Sequence, residues 1–174
     1  VLIVDIGVNY DFGDLPGILH RKIAKGTRNM LKGPAMTQEQ AEQAIKVGME
    51  VTQERIDRGL QMAATGEMGI GNTTPSAAIT SVICNRPVAE VTGRGTGLDD
   101  AGLVHKIKMI EQAIAFNKPD PTDPMDILCK IGGLEIAGMA GVTIAAAAHR
   151  IPLVMDGLIS TVSAAIAAML VPDV

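Results

Sequence analysis

The segment "GLQMAATGEMGIGNTTPSAAI", residues 59–79, contains the pattern that decides the fold. Residues 59–65 are predicted to form a short strand, and the glycines after them predict a turn. Thr74 is a favourable N-cap and Pro75 a favourable first helical residue, so a helix is expected to follow directly. A strand that enters a helix through a glycine turn is typical of α/β proteins, which bind ligands at such turns.

The rest of the chain alternates between strand and helix patterns. Apolar, β-branched runs at residues 1–8 and 151–157 predict buried strands, whereas residues 9–34 predict loops with one short helix. Thr37 and Gln40 form a capping box before a helix to about residue 58. Further helices are expected at 99–116, where either Asp99 or Asp100 can act as the N-cap, and at 124–130, 136–148 and 160–170. The predicted fold is α/β, a parallel sheet flanked by helices in a Rossmann-like three-layer arrangement, with residues 1–174 as a single domain.

The composition narrows the possible partners. The net charge of -4 and the 2% aromatic content are atypical of a nucleic-acid surface, which needs cations and usually stacking rings. The apolar run at 136–148 is too short for a membrane span, and no signal-peptide pattern is present, so no membrane partner and a cytoplasmic location are expected. Small molecules are the favoured partners.

The cysteines and histidines do not have metal-site spacing. Cys84 and Cys129 lie far apart in the sequence and are expected to be buried thiols. The three histidines lie in different segments without an HExxH pattern. We therefore expect neither a metal nor another cofactor. The strand-end acids Asp5 and Asp156 could suggest Mg²⁺, but hydrogen bonds to loops or sugars are the more common role of such residues.

The first glycine turn resembles a phosphate site with one unusual residue. Gly66, Gly69 and Gly71 permit a close approach of backbone N–H groups to an anion at the start of a helix. Glu67 would repel a phosphate, so we expect it to point aside, toward a ribose or a developing cation. Cleavage of a ribose C1–N bond creates such a cation. A purely structural turn is the alternative.

Several long stretches of the sequence, in the same order along the chain, resemble one known family. "GEMGIGNTTPSAAI", "GRGTGLDDAGLVHK", "GGLEIAGMAGVTIAAA" and "VMDGLISTVSAA" resemble the nicotinate-nucleotide:dimethylbenzimidazole phosphoribosyltransferase family of cobalamin biosynthesis. The upstream strings "RKIAKGTRNM" and "GPAMTQEQAEQAI" are also similar to it. The resemblance implies transfer of phosphoribose from nicotinate mononucleotide to 5,6-dimethylbenzimidazole, with inversion at C1, giving α-ribazole phosphate and nicotinate. It also implies a homodimer.

The resemblance assigns residues to the site as well. Glu67 would be catalytic, beside the sugar. The residues that would bind the substrates are Gly69, Gly71, Asn72, Thr73, Thr74, Gly93, Gly95, Lys106 and Asp156.

The family's members are longer at both ends, so these residues are expected to be the central part of a longer enzyme. By the resemblance, an upstream segment forms much of the benzimidazole pocket, and a glutamate near the carboxyl terminus is the general base. The alternative is a nucleotide-binding or interaction module without catalysis. A metal-dependent phosphohydrolase is a weaker third alternative, because the sequence has no dense cluster of carboxylates and histidines.

Overall fold

The computed structural model describes the whole chain, from Val1 to Val174. It contains four short strands and seven helices. In chain order they are β1 (Ile3–Asp5), β2 (Ile18–His20), α1 (Gln38–Ile56), β3 (Ala63–Thr65), α2 (Thr73–Cys84), α3 (Val88–Val91), α4 (Asp100–Asn117), α5 (Pro124–Ile131), α6 (Leu134–Ala148), β4 (Leu153–Met155) and α7 (Gly157–Leu170). No helix combines the length and the apolar character that crossing a membrane requires.

The strands pair in parallel, as predicted for an α/β fold, but they form two separate sheets of two strands each. β1 pairs with β2, and β3 pairs with β4 in a register that sets Thr65 opposite Met155. β2 was not predicted, and residues 9–34 contain no helix. Because β3 and β4 are parallel, the chain leaves both strands at the same edge of the sheet.

The strands are more exposed than their apolar sequences predicted. Ile3 of β1 is 55% exposed, and Val154 and Met155 of β4 are 50% and 47% exposed. The prediction of buried strands rested on continuous apolar runs, which are typical of sheets covered on both faces. A two-stranded sheet gives each strand one neighbour, so these apolar side chains remain accessible.

The core lies between helices. α6 packs most extensively on α1, and also on α7, while α2, α4 and α5 complete the cluster. Its largest fully buried aliphatic side chains are Met36, Ile79, Ile110, Ile127, Leu128, Ile131, Ile136 and Ile166. The predicted capping box opens α1: Gln40 N–H donates to Thr37 Oγ1 at 3.1 Å, and Thr37 N–H donates to Gln40 Oε1 at 3.0 Å.

The expected burial of both cysteines was partly wrong. Cys84 ends α2 and is exposed, whereas Cys129 on α5 is partly buried. Burial raises the pKa of the Cys129 thiol, and the nearby Asp126 carboxylate adds to that effect.

Glycines let α1 and α6 cross with their backbones in contact. A Cβ atom at Gly48 of α1 would overlap the carbonyl oxygen of Gly138 in α6. A Cβ atom at Gly141 of α6 would overlap the carbonyl oxygen of Ile45 in α1. Both obstacles are backbone atoms, so neither can rotate away. The helix crossing therefore requires glycine at these two positions.

We predict that Gly141→Ala destabilises the protein. An alanine in a helix is normally more stable than glycine by about 0.5–1 kcal/mol, but here overpacking should cost about 1–3 kcal/mol and reverse the sign. Urea unfolding of the complete protein measures the change. Gly33→Ala is the matched control, since Gly33 has open space around it and no positive φ. Equal stability of the two variants would contradict the backbone contact.

Candidate functional site

The turn after β3 has the backbone that its glycines predicted. Gly69 has φ 74° and Gly71 has φ 77°, values in the left-handed region that other residues rarely adopt. No atom lies within 4 Å of a Cβ placed at Gly71. Glycine is therefore required here by the backbone conformation and not by crowding.

The helix after this turn begins earlier than predicted. α2 starts at Thr73 with Asn72 as N-cap, so Thr74 and Pro75 occupy the second and third helical positions. The Asn72 side chain makes no capping bond: its Nδ2 donates to Glu67, and its Oδ1, the atom that could accept from a helical N–H, has no partner. The N–H groups of Thr73 and Thr74 are therefore not satisfied by a cap, and Pro75 has no N–H. Free amides at a helix N-terminus attract anions.

Glu67 is folded back into its own turn through one oxygen. Its Oε2 atom accepts from the Gly69 N–H and from Asn72 Nδ2, the latter at 2.8 Å. Its Oε1 atom has no hydrogen bond within the chain, and the residue as a whole is exposed. The carboxylate is thus oriented by the protein and keeps one oxygen open to a ligand.

Lys106 joins the two glycine turns. From α4, its Nζ donates to Thr73 Oγ1 at 2.8 Å and to the Gly93 carbonyl at 3.1 Å. The residue is only 9% exposed, and burial lowers the pKa of its ammonium group. α4 itself is capped by Asp99, whose carboxylate accepts from Gly102 N–H at 2.7 Å. This bears out the expectation that an aspartate caps the helix.

An open cleft of about 170 Å³ lies between the two turns. It brings together six of the predicted binding residues, namely Gly69, Gly71, Thr73, Thr74, Gly95 and Lys106. Sequence reasoning missed Arg94, Thr96 and Leu98, which also line it. Arg94 pairs with Asp100 and donates to the Leu98 carbonyl at 3.0 Å. The lining has two cations and no carboxylate, but Arg94 is paired with Asp100, so Lys106 is the cation without a carboxylate partner and the one that suits an anion.

The other predicted residues lie around this cleft and not in its lining. Asn72 is buried and bonds to Glu67, and Gly93 contributes its carbonyl to Lys106. Asp156 is exposed, follows β4 and forms no side-chain cap on α7. It lies at the same sheet edge as Gly66, which follows β3. α7 is tied to that edge, because Ser160 Oγ donates to the Thr65 carbonyl at 3.2 Å.

The acids Asp5 and Asp156 do not form a pair. Asp5 ends β1 in the other sheet, where its carboxylate lies 2.6 Å from Lys22 Nζ and accepts from Val8 N–H at 3.0 Å. Burial acts to raise the pKa of Asp5, but these hydrogen bonds and the Lys22 charge outweigh it and lower the pKa. Lys22 and the Val8 N–H thus provide the partners of the Asp5 carboxylate within the chain. No three His, Cys, Asp or Glu side chains converge anywhere in the chain.

A larger cleft of about 260 Å³ lies away from the glycine turns, against α1. Its cations are each next to a carboxylate: Arg21 Nη2 lies 3.3 Å from Glu54, Lys22 2.6 Å from Asp5, and Lys46 3.6 Å from Glu50. This cleft therefore has no uncompensated charge to offer a ligand.

Glu135 is a further acid near the site that sequence reasoning missed. It lies in the first turn of α6 and interacts with Glu67 and Asn72. Burial raises the pKa of its carboxyl group, and the charge on Glu67 raises it further. The signal was the pair Gly132-Gly133 before an acid: a Cβ atom at Gly133 would lie 2.6 Å from Glu135 Oε1. Glycine there leaves room for this carboxyl group.

Comparisons with known proteins agree with this geometry. The nicotinate-nucleotide–dimethylbenzimidazole phosphoribosyltransferases of Geobacter metallireducens and Desulforudis audaxviator are 56% and 54% identical over the whole chain, which covers 49% of each. The crystal structure of CobT from Thermus thermophilus superposes with a TM-score of 0.90 at 38% identity, over 97% of this chain and 50% of that one. The chain thus spans about half the length of these relatives.

A family model described as phosphoribosyltransferase matches residues 1–174. The match covers both glycine turns and the cleft between them. It also includes the acids Glu67, Glu135 and Asp156. The chain therefore belongs to the phosphoribosyltransferase family.

Proposed function

We propose that the enzyme containing these residues transfers phosphoribose from nicotinate mononucleotide to a nitrogen of 5,6-dimethylbenzimidazole. The products are α-ribazole phosphate and nicotinate, and the transfer inverts C1. The names of the relatives support these substrates. One observation carries the proposal. A cleft that suits an anion lies next to the Glu67 carboxylate, which Asn72 orients and which is not among the lining residues.

The proposal assigns the phosphate of the nucleotide to the cleft. The free N–H groups of Thr73 and Thr74 would bind its oxygens, with the hydroxyl of Thr73 and the ammonium of Lys106 beside them. Gly71 and Gly95 would let the backbone approach closely. Arg94 also lines the cleft, where its charge is paired with Asp100.

The ribose would then lie toward Glu67. As the C1–N bond to nicotinate breaks, positive charge develops on the sugar, and the open Oε1 of Glu67 is the anionic group that stabilises it. We assign Asp156, at the same edge of the sheet, to the sugar hydroxyls. One benzimidazole nitrogen attacks C1, and the proton on the other ring nitrogen goes to a base that the family resemblance places outside residues 1–174.

The activity is tested by incubating the complete enzyme with nicotinate mononucleotide and 5,6-dimethylbenzimidazole. We expect release of nicotinate that depends on the benzimidazole. Nucleotide binding without nicotinate release would indicate a binding module in place of an enzyme. We also propose that the enzyme is a cytoplasmic homodimer, which light scattering and fractionation of the native cells can test, and that residues 1–174 form one domain of it.

We predict that Lys106→Met weakens the binding of nicotinate mononucleotide but has little effect on nicotinate riboside, which lacks the phosphate. Loss of a charge-assisted contact should cost about 1.5–3 kcal/mol, roughly a tenfold to hundredfold loss of affinity. In the wild type, affinity should fall as the pH rises through the lowered pKa of Lys106, because the neutral amine attracts the phosphate less. Calorimetry with both ligands measures these effects.

The matched control for this experiment is Lys108→Met, which removes an exposed lysine from the same helix. It should leave both affinities in place. Equal losses for the nucleotide and the riboside in Lys106→Met would place the phosphate elsewhere.

A third prediction concerns the carboxylate. Glu67→Gln keeps the size of the side chain and removes the charge, so kcat should fall by roughly 10²-fold or more, with a smaller change in nucleotide affinity. Steady-state kinetics of the complete enzyme measure both. Glu111→Gln, at an exposed position of α4, is the control. A Glu67→Gln enzyme with wild-type kcat would show that the charge is dispensable.

A further inference from the structure

Arg94 lines the cleft, but its charge is engaged by an exposed acid. Its Nη2 donates to Asp100 Oδ1, and its Nη1 donates to the Leu98 carbonyl at 3.0 Å. The Arg94 side chain is 52% exposed and that of Asp100 is 91% exposed. Solvent screens ion pairs of this kind, so the pair favours the present position of Arg94 by about fivefold at most.

Asp100 does not depend on Arg94 for its own stability. It is the first residue of α4, and the N-terminal end of a helix favours a negative charge. The cap of α4 is a different acid, Asp99, whose carboxylate accepts from the Gly102 N–H. Release of Arg94 would therefore leave the helix cap in place and the Asp100 charge in a favourable position.

The backbone of the second glycine turn holds Arg94 next to the proposed phosphate site. The Arg94 carbonyl accepts from the Leu98 N–H at 3.1 Å, which closes the turn. A Cβ atom at Gly95 would lie 3.2 Å from Thr73 Oγ1 and 3.6 Å from Lys106 Nζ. The residue directly after Arg94 thus borders the hydroxyl and the ammonium group that the proposed function assigns to the phosphate.

A phosphate monoester needs more positive charge than Lys106 supplies. Near neutral pH such a phosphate carries a charge of about −1.5 to −2. Lys106 carries one charge, and two of its three N–H groups are used by Thr73 Oγ1 and the Gly93 carbonyl. A guanidinium can donate to two phosphate oxygens at once and does not lose its charge. Arg94 is the lining residue that can provide this second cation.

We propose that Arg94 is a phosphate-binding residue that exchanges partners: when the nucleotide enters the cleft, the guanidinium leaves Asp100 and donates to the phosphate. This inference rests on the proposed function, because the phosphate is that of nicotinate mononucleotide. Without a ligand, Asp100 holds the guanidinium beside the cleft. The exchange is a rotation of one side chain, since the backbone of the turn is already closed. Arg94 thereby selects for ligands that carry a phosphate.

The first test removes the ion pair as a unit. Arg94→Met/Asp100→Asn keeps the net charge, so an arginine that stayed on Asp100 in the complex would be lost without consequence for binding. If the exchange occurs, this variant should bind nicotinate mononucleotide roughly threefold to a hundredfold more weakly than the wild type, with no change for nicotinate riboside. Asp100→Asn alone should bind the nucleotide more tightly, by up to about fivefold, because Arg94 is then free. Calorimetry with the complete enzyme measures these affinities.

The matched control is Arg86→Met/Glu90→Gln. It removes another exposed ion pair, with 3.7 Å between its charged atoms, from residues outside the lining of the cleft, and it should leave the nucleotide affinity in place. Wild-type affinity in Arg94→Met/Asp100→Asn would overturn the exchange and leave the proposed function standing. A wild-type enzyme that binds no nicotinate mononucleotide would contradict the proposed function, and the exchange with it.

The second test observes Arg94 without any substitution. In a crystal structure of the complete wild-type enzyme with nicotinate mononucleotide, we expect the guanidinium about 2.7–3.2 Å from phosphate oxygens and no longer bonded to Asp100. A guanidinium that is still bonded to Asp100 and out of reach of a phosphate bound in the cleft would overturn the exchange.

Discussion

The side chain of Asn72 donates to Glu67 Oε2 at 2.8 Å and leaves the N-terminus of α2 without a cap. An asparagine at an N-cap usually bonds to the second or third helical N–H, which stabilises the helix by about 1 kcal/mol. Here that stabilisation is given up. The N–H groups of Thr73 and Thr74 therefore remain available to an anion. The Glu67 carboxylate in the same turn is bonded to Asn72. The geometry of the site follows from this one bond.

The glycine contact between α1 and α6 fixes how closely these two helices pack, and with it the position of the first turn of α6. α6 crosses α1 with no space for side chains between their backbones at Gly48 and Gly141, and its first turn carries Glu135. A shift of α6 outward would move Glu135 away from the glycine turn. Packing in the core and electrostatics in the site are thus coupled through a single helix.

Local signals predicted much of this structure. The capping box of α1 and the aspartate cap of α4 depend on residues three positions apart, so the sequence contains all of each interaction. The positive φ of Gly69 and Gly71 was also predictable, since few other residues adopt it. Six residues expected at one site do line one cleft.

Interactions between distant segments were harder to predict. Thr74 and Pro75 have the sequence of a helix start, but α2 begins two residues earlier than they predict, at Thr73, with Asn72 as N-cap. Lys106 reaches Thr73 across 33 residues, and only the family resemblance placed it in the site. Glu135 was missed because its raised pKa depends on burial, which only the tertiary structure shows. The division of the strands into two sheets likewise depends on tertiary packing and not on strand propensity.

A carboxylate in a turn proposed to bind phosphate would repel the phosphate strongly only if the two negative charges lay next to each other. Lys106, which has no carboxylate partner, and Arg94, which is paired with Asp100, line the cleft, and no acid is among the lining residues. Glu67 is bonded to Asn72 and is not among the lining residues, and its Oε1 has no hydrogen bond within the chain. A nucleotide that loses its base is also divided in charge, with an anionic phosphate at one end and a sugar that becomes cationic at the other. The proposed reaction needs opposite charges a few ångströms apart, and a glycine turn that binds its own glutamate keeps them separate.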